Sequence, residues 1–473
     1  MLVEMSKLSR REFLGAASLP LALPVGARAA RPPNFLFILC DDLGWGDLPC
    51  FGHRGFKAHG GWDVRGNLQM PATDRLAREG TRFTQAYVSS AVCSPSRAAF
   101  MTGQYPGALG IHDYLGTPEL NAERGVRDSL DPAIPTVTGL LQSAGYATGH
   151  FGKWHLSSGT NAPQPRAYGI DQYDPCMMGA KERPFSSGRI ADATIAFLEE
   201  NRGRPFFVNA WLYDPHNPLR PTEEMMKPYA ELTSGWAGQR SAFEVYYGVL
   251  TYMDQQIGRV LDALDRWKLA EDTVVIFASD NGPETGLIPF VSYYGAAATA
   301  GPFRGVKRSL YEGGVRTPFI VRRPGHTPAG RVDNDSVFGG TDFLPTVCGM
   351  ASVKPPAQSL RDGEDVSQAW LGKAHKRAKP MMWENRYPVY GHVLDMSPML
   401  AIRDQQWKLL MNPDRSRLEL YDIPRDPQEM NNLAGANPGI VNRLSKRLLE
   451  WQATLPKGPI DADAGKAEWA WPR

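Results

Sequence analysis

Short apolar runs alternating with helical patterns predict an α/β chain: a large, mostly parallel sheet flanked by helices, then a smaller C-terminal α+β subdomain. Two further observations support that class. The polar residues with chemical potential fall just past the carboxyl ends of the apolar runs, the edge where open α/β sheets bind ligands. After about Pro355 the pattern changes to short antiparallel strands and one amphipathic helix.

Asn34-Phe-Leu-Phe-Ile-Leu-Cys40 reads as a continuous apolar strand ending at Asp41-Asp42, and Pro71 to Arg78 as a helix stopped by Gly80. Thr136 to Ala144 is a helix stopped by Gly145, and the next strand runs into Gly152-Lys153-Trp154-His155. Phe206 to Leu212 is a strand ending at Asp214-Pro215-His216. A helix from about Ala242 to Trp267 precedes the strand Thr273 to Ser279, which ends at Asp280-Asn281. Ala401 to Leu410 and Leu418 to Asp422 suggest short antiparallel strands, and Asn437 to Leu455 an amphipathic helix. The expected division is 1–29 as an export signal, 30–375 as the catalytic domain and 376–473 as the subdomain.

A chain of 473 residues needs more than one small core. Its 42% hydrophobic and 22% charged residues suit a soluble globular enzyme. The formal net charge is +2, and Lys7, Arg10, Arg11 and Arg28 against Glu4 and Glu12 account for it. The remainder is near neutral with no basic stripe, which argues against a nucleic-acid partner and makes any attraction for an anion local. Ser9-Arg10-Arg11-Glu12-Phe13-Leu14 resembles a twin-arginine signal, followed by a short apolar stretch and the small-x-small site Ala27-Arg28-Ala29. The expectation is export by the twin-arginine translocase to the periplasm or beyond, with no membrane span in the mature chain. The five cysteines, Cys40, Cys50, Cys93, Cys176 and Cys348, match no zinc or disulfide spacing, and their pairing is open.

Five segments carry chemistry. Asp41-Asp42 and Asp280-Asn281, at two strand ends, form an all-oxygen set whose like charges need a cation. Hard oxygen donors with one amide favour Ca2+, with Mg2+ as the alternative, over zinc. In Cys93-Ser94-Pro95-Ser96-Arg97, Ser94 can be the N-cap and Pro95 the first helical residue, with Gly103 ending the helix. Residue 93 then sits before a helix N-terminus, which favours an anion, and Arg97 lies on the same face. Strand alternation would put Lys153 and His155 on one side. In Asp214-Pro215-His216-Asn217-Pro218 two prolines stiffen the loop that carries His216.

The Cys-x-Pro-x-Arg run resembles the maturation signature of formylglycine-dependent type I sulfatases, of the alkaline phosphatase superfamily. Gly152-Lys153-Trp154-His155-Leu156, Pro215-His216-Asn217-Pro218, Ser279-Asp280-Asn281-Gly282 and Arg304 through Pro318 are similar to further motifs of that family, in family order. Leu420-Tyr421-Asp422 resembles a stretch of its C-terminal subdomain. The resemblance spans about Pro33 to Trp451. It implies an alkaline-phosphatase-like fold and a sulfuric ester hydrolase, in which a formylglycine-generating enzyme oxidises Cys93 and the aldehyde hydrate attacks sulfur. It further implies Ca2+ held by Asp41, Asp42, Asp280 and Asn281 and touching the modified Cys93. Arg97 polarises the nucleophile, Lys153 stabilises an oxyanion and His155 takes a proton. His216 protonates the leaving alcohol and Lys307 matches the sulfate-binding lysine, so that Lys153, His216 and Lys307 also bind substrate.

Departures from the family are a longer segment from Gly52 to Gln69 and Ser157 in a position usually held by glycine. A sulfated carbohydrate is the default substrate, with aryl sulfates as surrogates, and His53, His112, Asp113 and His392 are candidate contacts. Two alternatives stand beside this one. A phosphonate monoester or phosphodiester hydrolase would separate on aryl phosphonate turnover. A non-catalytic sulfated-glycan binding protein would keep an unconverted Cys93.

Overall fold

β1 (Asn34–Cys40) is buried along its whole length, as a strand covered on both faces must be. The computed structural model describes residues 32–52, 68–175, 185–233, 241–285, 293–390 and 392–466; the expected signal segment, His53 and Cys176 lie outside them. The odd residues Phe35, Phe37 and Leu39 join one apolar cluster, and the even Leu36, Ile38 and Cys40 join another. That split is the two-residue period of a strand feeding two helical layers.

The other strands are β2 (Thr81–Phe83), β3 (Ala86–Tyr87), β4 (Ala147–Gly152), β5 (Gln172–Tyr173), β6 (Phe206–Trp211), β7 (Thr273–Ser279), β8 (Phe319–Arg322), β9 (Arg331–Asp333), β10 (Phe338–Gly339), β11 (Met381–Glu384), β12 (Leu400–Asp404), β13 (Trp407–Met411) and β14 (Glu419–Asp422). Among the described residues, eight strands form one sheet in the order β5-β4-β6-β1-β7-β8-β2-β9. β8 runs antiparallel to β7 and β2, and the other pairings are parallel. In register, Phe37 lies between Asn209 and Ile276. The tips of β1, β6, β7 and β4 therefore share one edge. α1 (Pro71–Glu79) and the helices Ser186–Glu200 and Ala242–Arg266 cover one face. α2 (Cys93–Thr102) and the helices Val137–Ser143 and Phe343–Met350 cover the other.

The antiparallel sheet β11-β12-β13-β14 packs Leu400, Ile402, Leu409, Met411 and Leu420 against Val441, Leu444 and Leu448 of the helix Pro438–Gln452. Residues Pro32–Arg473 form one compact unit, so this sheet is a subdomain, not a separate body. Elements read from sequence recur within a residue or two, except that the last helix ends at Gln452, three residues before the expected Leu455. The strands β2 and β8 and the helix Ser186–Glu200 were not anticipated: the two strands are too short to show a period.

His150, on β4, is fully buried edge-on between Trp154 and Trp211, with ring centroids 4.9 and 5.0 Å away. Burial, aided by Arg97, pushes its pKa down to about 3, so the folded ring is neutral while the unfolded ring charges near pH 6.5. A depressed folded pKa means stability present above pH ~6.5 and lost as pH falls toward ~3. His150→Phe keeps the aromatic shape without the titration. It should be about 2 kcal/mol less acid-sensitive than wild type at pH 5 relative to pH 7.5, read from urea unfolding at both pH values. Parallel pH profiles for the two proteins would refute this.

Candidate active site

β1 delivers Asp41 and Asp42 to the shared sheet edge, and β7 delivers Asp280 and Asn281 beside them. All four are buried. Asp42 bends out of the strand with a positive φ of 67°, and its backbone N–H donates to Asp280 Oδ1 at 3.2 Å. α2 begins one turn edge away: Val92 is the N-cap and Cys93 the first helical residue. This corrects the expected start at Pro95. Ser94 does not cap, because its Oγ instead accepts the N–H of Leu115 at 3.0 Å. Gly103 closes the helix as anticipated, with φ 70°. Residue 93 thus lies on the first turn, where free N–H groups favour negative charge.

Three cations meet three carboxylates here. Arg97 Nε and Nη2 reach Asp280 Oδ2 at 2.8 and 2.7 Å, Nη2 lies 3.7 Å from Asp41 Oδ1, and Nη1 donates to the Lys153 carbonyl at 2.9 Å. Its guanidinium sits 5.1 Å from the Trp211 ring centroid. Lys153 Nζ donates to Asp41 Oδ2 at 2.5 Å. Lys307 Nζ donates to both oxygens of Asp42, at 2.6 and 2.8 Å. Burial alone would raise Asp41, but Lys153, His216 and Arg97 outweigh it and hold the carboxyl well below its usual range. Asp42 is lowered in the same way, chiefly by Lys307. For Asp280 burial wins over Arg97 and pushes the carboxyl up.

Lys153 and His155 lie beyond the end of β4, so strand alternation does not set their sides; His155 has φ 54°. Gly152 makes the turn, with φ 107°, and a Cβ there would stand 1.9 Å from the Trp211 carbonyl oxygen. His155 Nε2 donates to the Leu115 carbonyl at 2.9 Å, which leaves Nδ1 a buried acceptor without a partner among the described residues. Burial, then Lys153, keep the ring neutral, well below its ordinary pKa. His216 Nδ1 bonds the Asn217 carbonyl at 2.5 Å, and Nε2 faces Asp42 Oδ2 at 3.7 Å. Burial pushes it to about 4 although Asp41 and Asp42 pull upward.

Cys93 Sγ donates toward Asp41 Oδ1 at 3.4 Å and lies 4.0 Å from Asp42 Oδ1. Burial raises its thiol pKa against the pull of Lys153 and Lys307, so the sulfur is protonated and a weak nucleophile as it stands. Ligand atoms of Asp41, Asp42, Cys93 and His216 lie within 4.8 Å of one another. Asn281 Nδ2 donates to Asp42 Oδ1 at 2.8 Å, while Asn281 Oδ1 is buried with no hydrogen-bond donor among the described residues. That orphaned oxygen beside two carboxylates is what a hard divalent cation would use, and the donor set fits one.

The other sequence candidates separate from this cluster. His112 is buried with Nε2 3.1 Å from the Arg124 carbonyl, and Asp113 pairs with Arg124 at 2.9 Å, so both have internal partners. His392 caps a short turn through Leu394 N–H. Ser157 bridges to Ser129. Sequence reasoning passed over Arg308, next to Lys307, which pairs with Glu284 at 2.7 Å; no motif marks it. It also missed that His216 joins the cation-sized cluster, which only the convergence of β1 and the loop after β6 reveals.

Removing Arg97 leaves two buried carboxylates under-paired. Arg97→Met should cost about 3–5 kcal/mol of unfolding free energy, and adding Asp280→Asn should recover part of it. Urea midpoints unchanged from wild type in the single variant would show that the pair is not a structural requirement.

The family model for sulfatase matches residues 33–353, and that for the N-sulphoglucosamine sulphohydrolase C-terminal region matches 304–454. The chain is 28% identical to human arylsulfatase A over 95% of this chain and 94% of that one. It is 30% identical to mouse steryl-sulfatase over 74% of this chain and 66% of that one. An N-acetylgalactosamine-6-O-sulfatase of Bacteroides thetaiotaomicron is 26% identical over 89% and 93%. The fold also matches the solved structure of Ps i-CgsB in complex with k-i-k-neocarrahexaose, with TM-score 0.74 and 24% identity over 90% and 94% of the two chains.

Proposed function

This chain belongs to the sulfatase family and hydrolyses sulfate esters, and from that premise we propose that it does so with Cys93 as formylglycine, beside a divalent cation, on a sulfated carbohydrate. The observation that carries the reading is the setting of Cys93. It is a protonated, buried thiol at the first turn of α2, ringed by Asp41, Asp42, Lys153 and Lys307. A thiol held protonated is of little use there, whereas the hydrate of an aldehyde supplies an attacking hydroxyl and a second hydroxyl whose loss of a proton expels sulfate. The Sγ position stands in for those oxygens.

Asp41, Asp42, Asp280 and Asn281, with residue 93, would hold the cation, Ca2+ on donor chemistry with Mg2+ as the alternative, and it would supply fixed positive charge at the nucleophile. Arg97 fixes Asp280 and the Lys153 backbone, so the acidic tips cannot drift apart. Lys153 and Lys307 bring positive charge to the sulfate oxygens. His155, neutral and with Nδ1 open, takes the proton released from residue 93. His216 is neutral when the pocket is empty of substrate. An anionic ester against its ring raises its proton affinity, and Nε2 then donates to the leaving oxygen. The carbohydrate reading is supported by the names of two similar proteins, one an N-acetylgalactosamine-6-O-sulfatase and one bound to a neocarrahexaose.

Cys93 is 2% exposed, which favours oxidation by a formylglycine-generating enzyme before the fold closes. Conversion in the cytoplasm, then twin-arginine export to the periplasm or beyond, satisfies that order.

Cys93→Ser should be sulfated once and then stop, whereas wild type turns over repeatedly on an aryl sulfate. Sustained turnover by the serine variant would sink the aldehyde scheme, as would an intact thiol in the Cys93 peptide of active enzyme by mass spectrometry. His216→Ala should lose about 10²–10⁴ in kcat on a poor leaving group and much less on a nitrophenol. Equal losses on both would remove His216 as the acid. Chelation should lower both activity and Tm, with Ca2+ restoring each.

A further inference from the structure

The charges outside the reaction centre do not balance at one place. On β12, Arg403 is buried, and its partners are neutral: Nη1 donates to the Tyr87 hydroxyl, Nη2 to Gln85 Oε1 at 2.5 Å and Nε to the Gln405 carbonyl at 3.4 Å. Tyr87 in turn donates its hydroxyl hydrogen bond to Glu312 Oε2 at 2.6 Å. Around that carboxylate stand Arg316 at 3.2 Å and Lys408 at 2.9 Å, and Lys408 also reaches Glu429 at 3.0 Å. Three buried cations, Arg316, Arg403 and Lys408, thus share two carboxylates, Glu312 and Glu429. A buried surplus of positive charge is costly unless an anion is available.

Arg403 forms part of the lining of a cavity of about 280 Å³ that shares no residue with the catalytic cluster. Arg377 lines it too. Its Nη1 donates to Asp342, but its buried Nε has no partner among the described residues, and the residue is 7% exposed. Lys379 donates only to the carbonyls of Leu360 and Gly363, at 2.5 and 2.7 Å. Lys376 stands exposed on the rim, and no carboxylate lies within ion-pair distance of it among the described residues. His375 is held by Glu364 at 3.2 Å. Against these the lining offers one carboxylate, Asp335, which is exposed.

We propose that this cavity is a second, non-catalytic oxyanion site that takes a sulfate or carboxylate group of the same acidic glycan the enzyme hydrolyses. The proposal rests on the carbohydrate reading for its source, but not for the site. Guanidinium groups match a planar or tetrahedral oxyanion, and Arg403 and Arg377 both line the cavity, Arg377 with an unpartnered Nε, while the exposed Lys376 adds a further positive charge to the lining. A glycan long enough to reach both this cavity and the reaction centre would gain affinity without new chemistry.

The test uses the intact enzyme. Selenate soaked into crystals should give anomalous density against Arg403 and Arg377. Lys376→Glu, on the rim and outside the buried network, should weaken binding of a sulfated oligosaccharide roughly ten-fold, with kcat and KM on an aryl sulfate unchanged. Selenate in the cavity together with equal oligosaccharide affinities would mean an adventitious ion only and would overturn the assignment to the glycan. No selenate density and no effect of Lys376→Glu would overturn it. Selenate density with no hydrolysis of any sulfated glycan by either protein would count against the carbohydrate reading and leave the site standing.

Discussion

Three carboxylates in one buried pocket are tolerable only if each is matched, and the rest of the structure is arranged to keep that match. Asp41, Asp42 and Asp280 arrive on neighbouring strands whose tips cannot move independently, because β1 is hydrogen-bonded along its length to both β6 and β7. Their counter-charges come from three other places: Arg97 on α2, Lys153 beyond β4 and Lys307 in the approach to β8. Each cation is therefore a tether between its own element and the sheet edge. A buried pair of this kind contributes little net stability compared with an apolar replacement, yet breaking one is costly. The natural reading is that the array is kept for what it does to charge in the pocket.

The C-terminal subdomain takes part in that control although it supplies no group to the cluster. Glu312 opens the short helix Glu312–Val315 just after the Lys307 loop. Its backbone N–H donates to Glu429 at 2.6 Å, and its side chain is held by Lys408 from β13. Tyr311 in turn donates to Glu419 of β14 at 2.7 Å. The loop that carries Lys307 is thus fixed from behind by subdomain residues. A buried lysine held on Asp42 needs such support, since an ammonium on four carbons is positioned by its backbone rather than by its own stiffness.

Much of this was legible in the chain before any coordinates. β1 and β7 are long apolar runs with acidic residues immediately past their ends, so the strand-tip carboxylates and their nearness followed from topology alone. The start of α2 was misread because Ser-Pro is a strong local capping signal; the Ser94 hydroxyl is used by Leu115, a contact 21 residues away that no local rule contains. Lys153 and His155 were placed together for the wrong reason. Gly152 turns the chain out of the strand, and their separation of function comes from partners, Asp41 for one and the Leu115 carbonyl for the other. The membership of His216 in the cluster and the cationic cavity at Arg403 depend on pairings 174 to 318 residues apart in sequence, far beyond any periodicity.

On the proposed function, the charge count also ties cation and substrate into one problem. Within the protein, Lys153 and Lys307 are committed to Asp41 and Asp42, at 2.5 and 2.6 Å. An anionic ester entering this pocket needs those same ammonium groups, and they can turn to it only if the carboxylates are compensated by something else. The orphaned Asn281 oxygen marks where the donor set is incomplete, beside the carboxylate that Lys307 holds. The residues of the pocket thus satisfy one another in a way that a sulfate ester would have to disturb. Occupation of the oxygen set by a divalent ion would make that disturbance favourable, because it matches the aspartates while leaving the two lysines for the substrate. On the proposed function, recognition of sulfate and retention of the ion would then be coupled through the same two side chains.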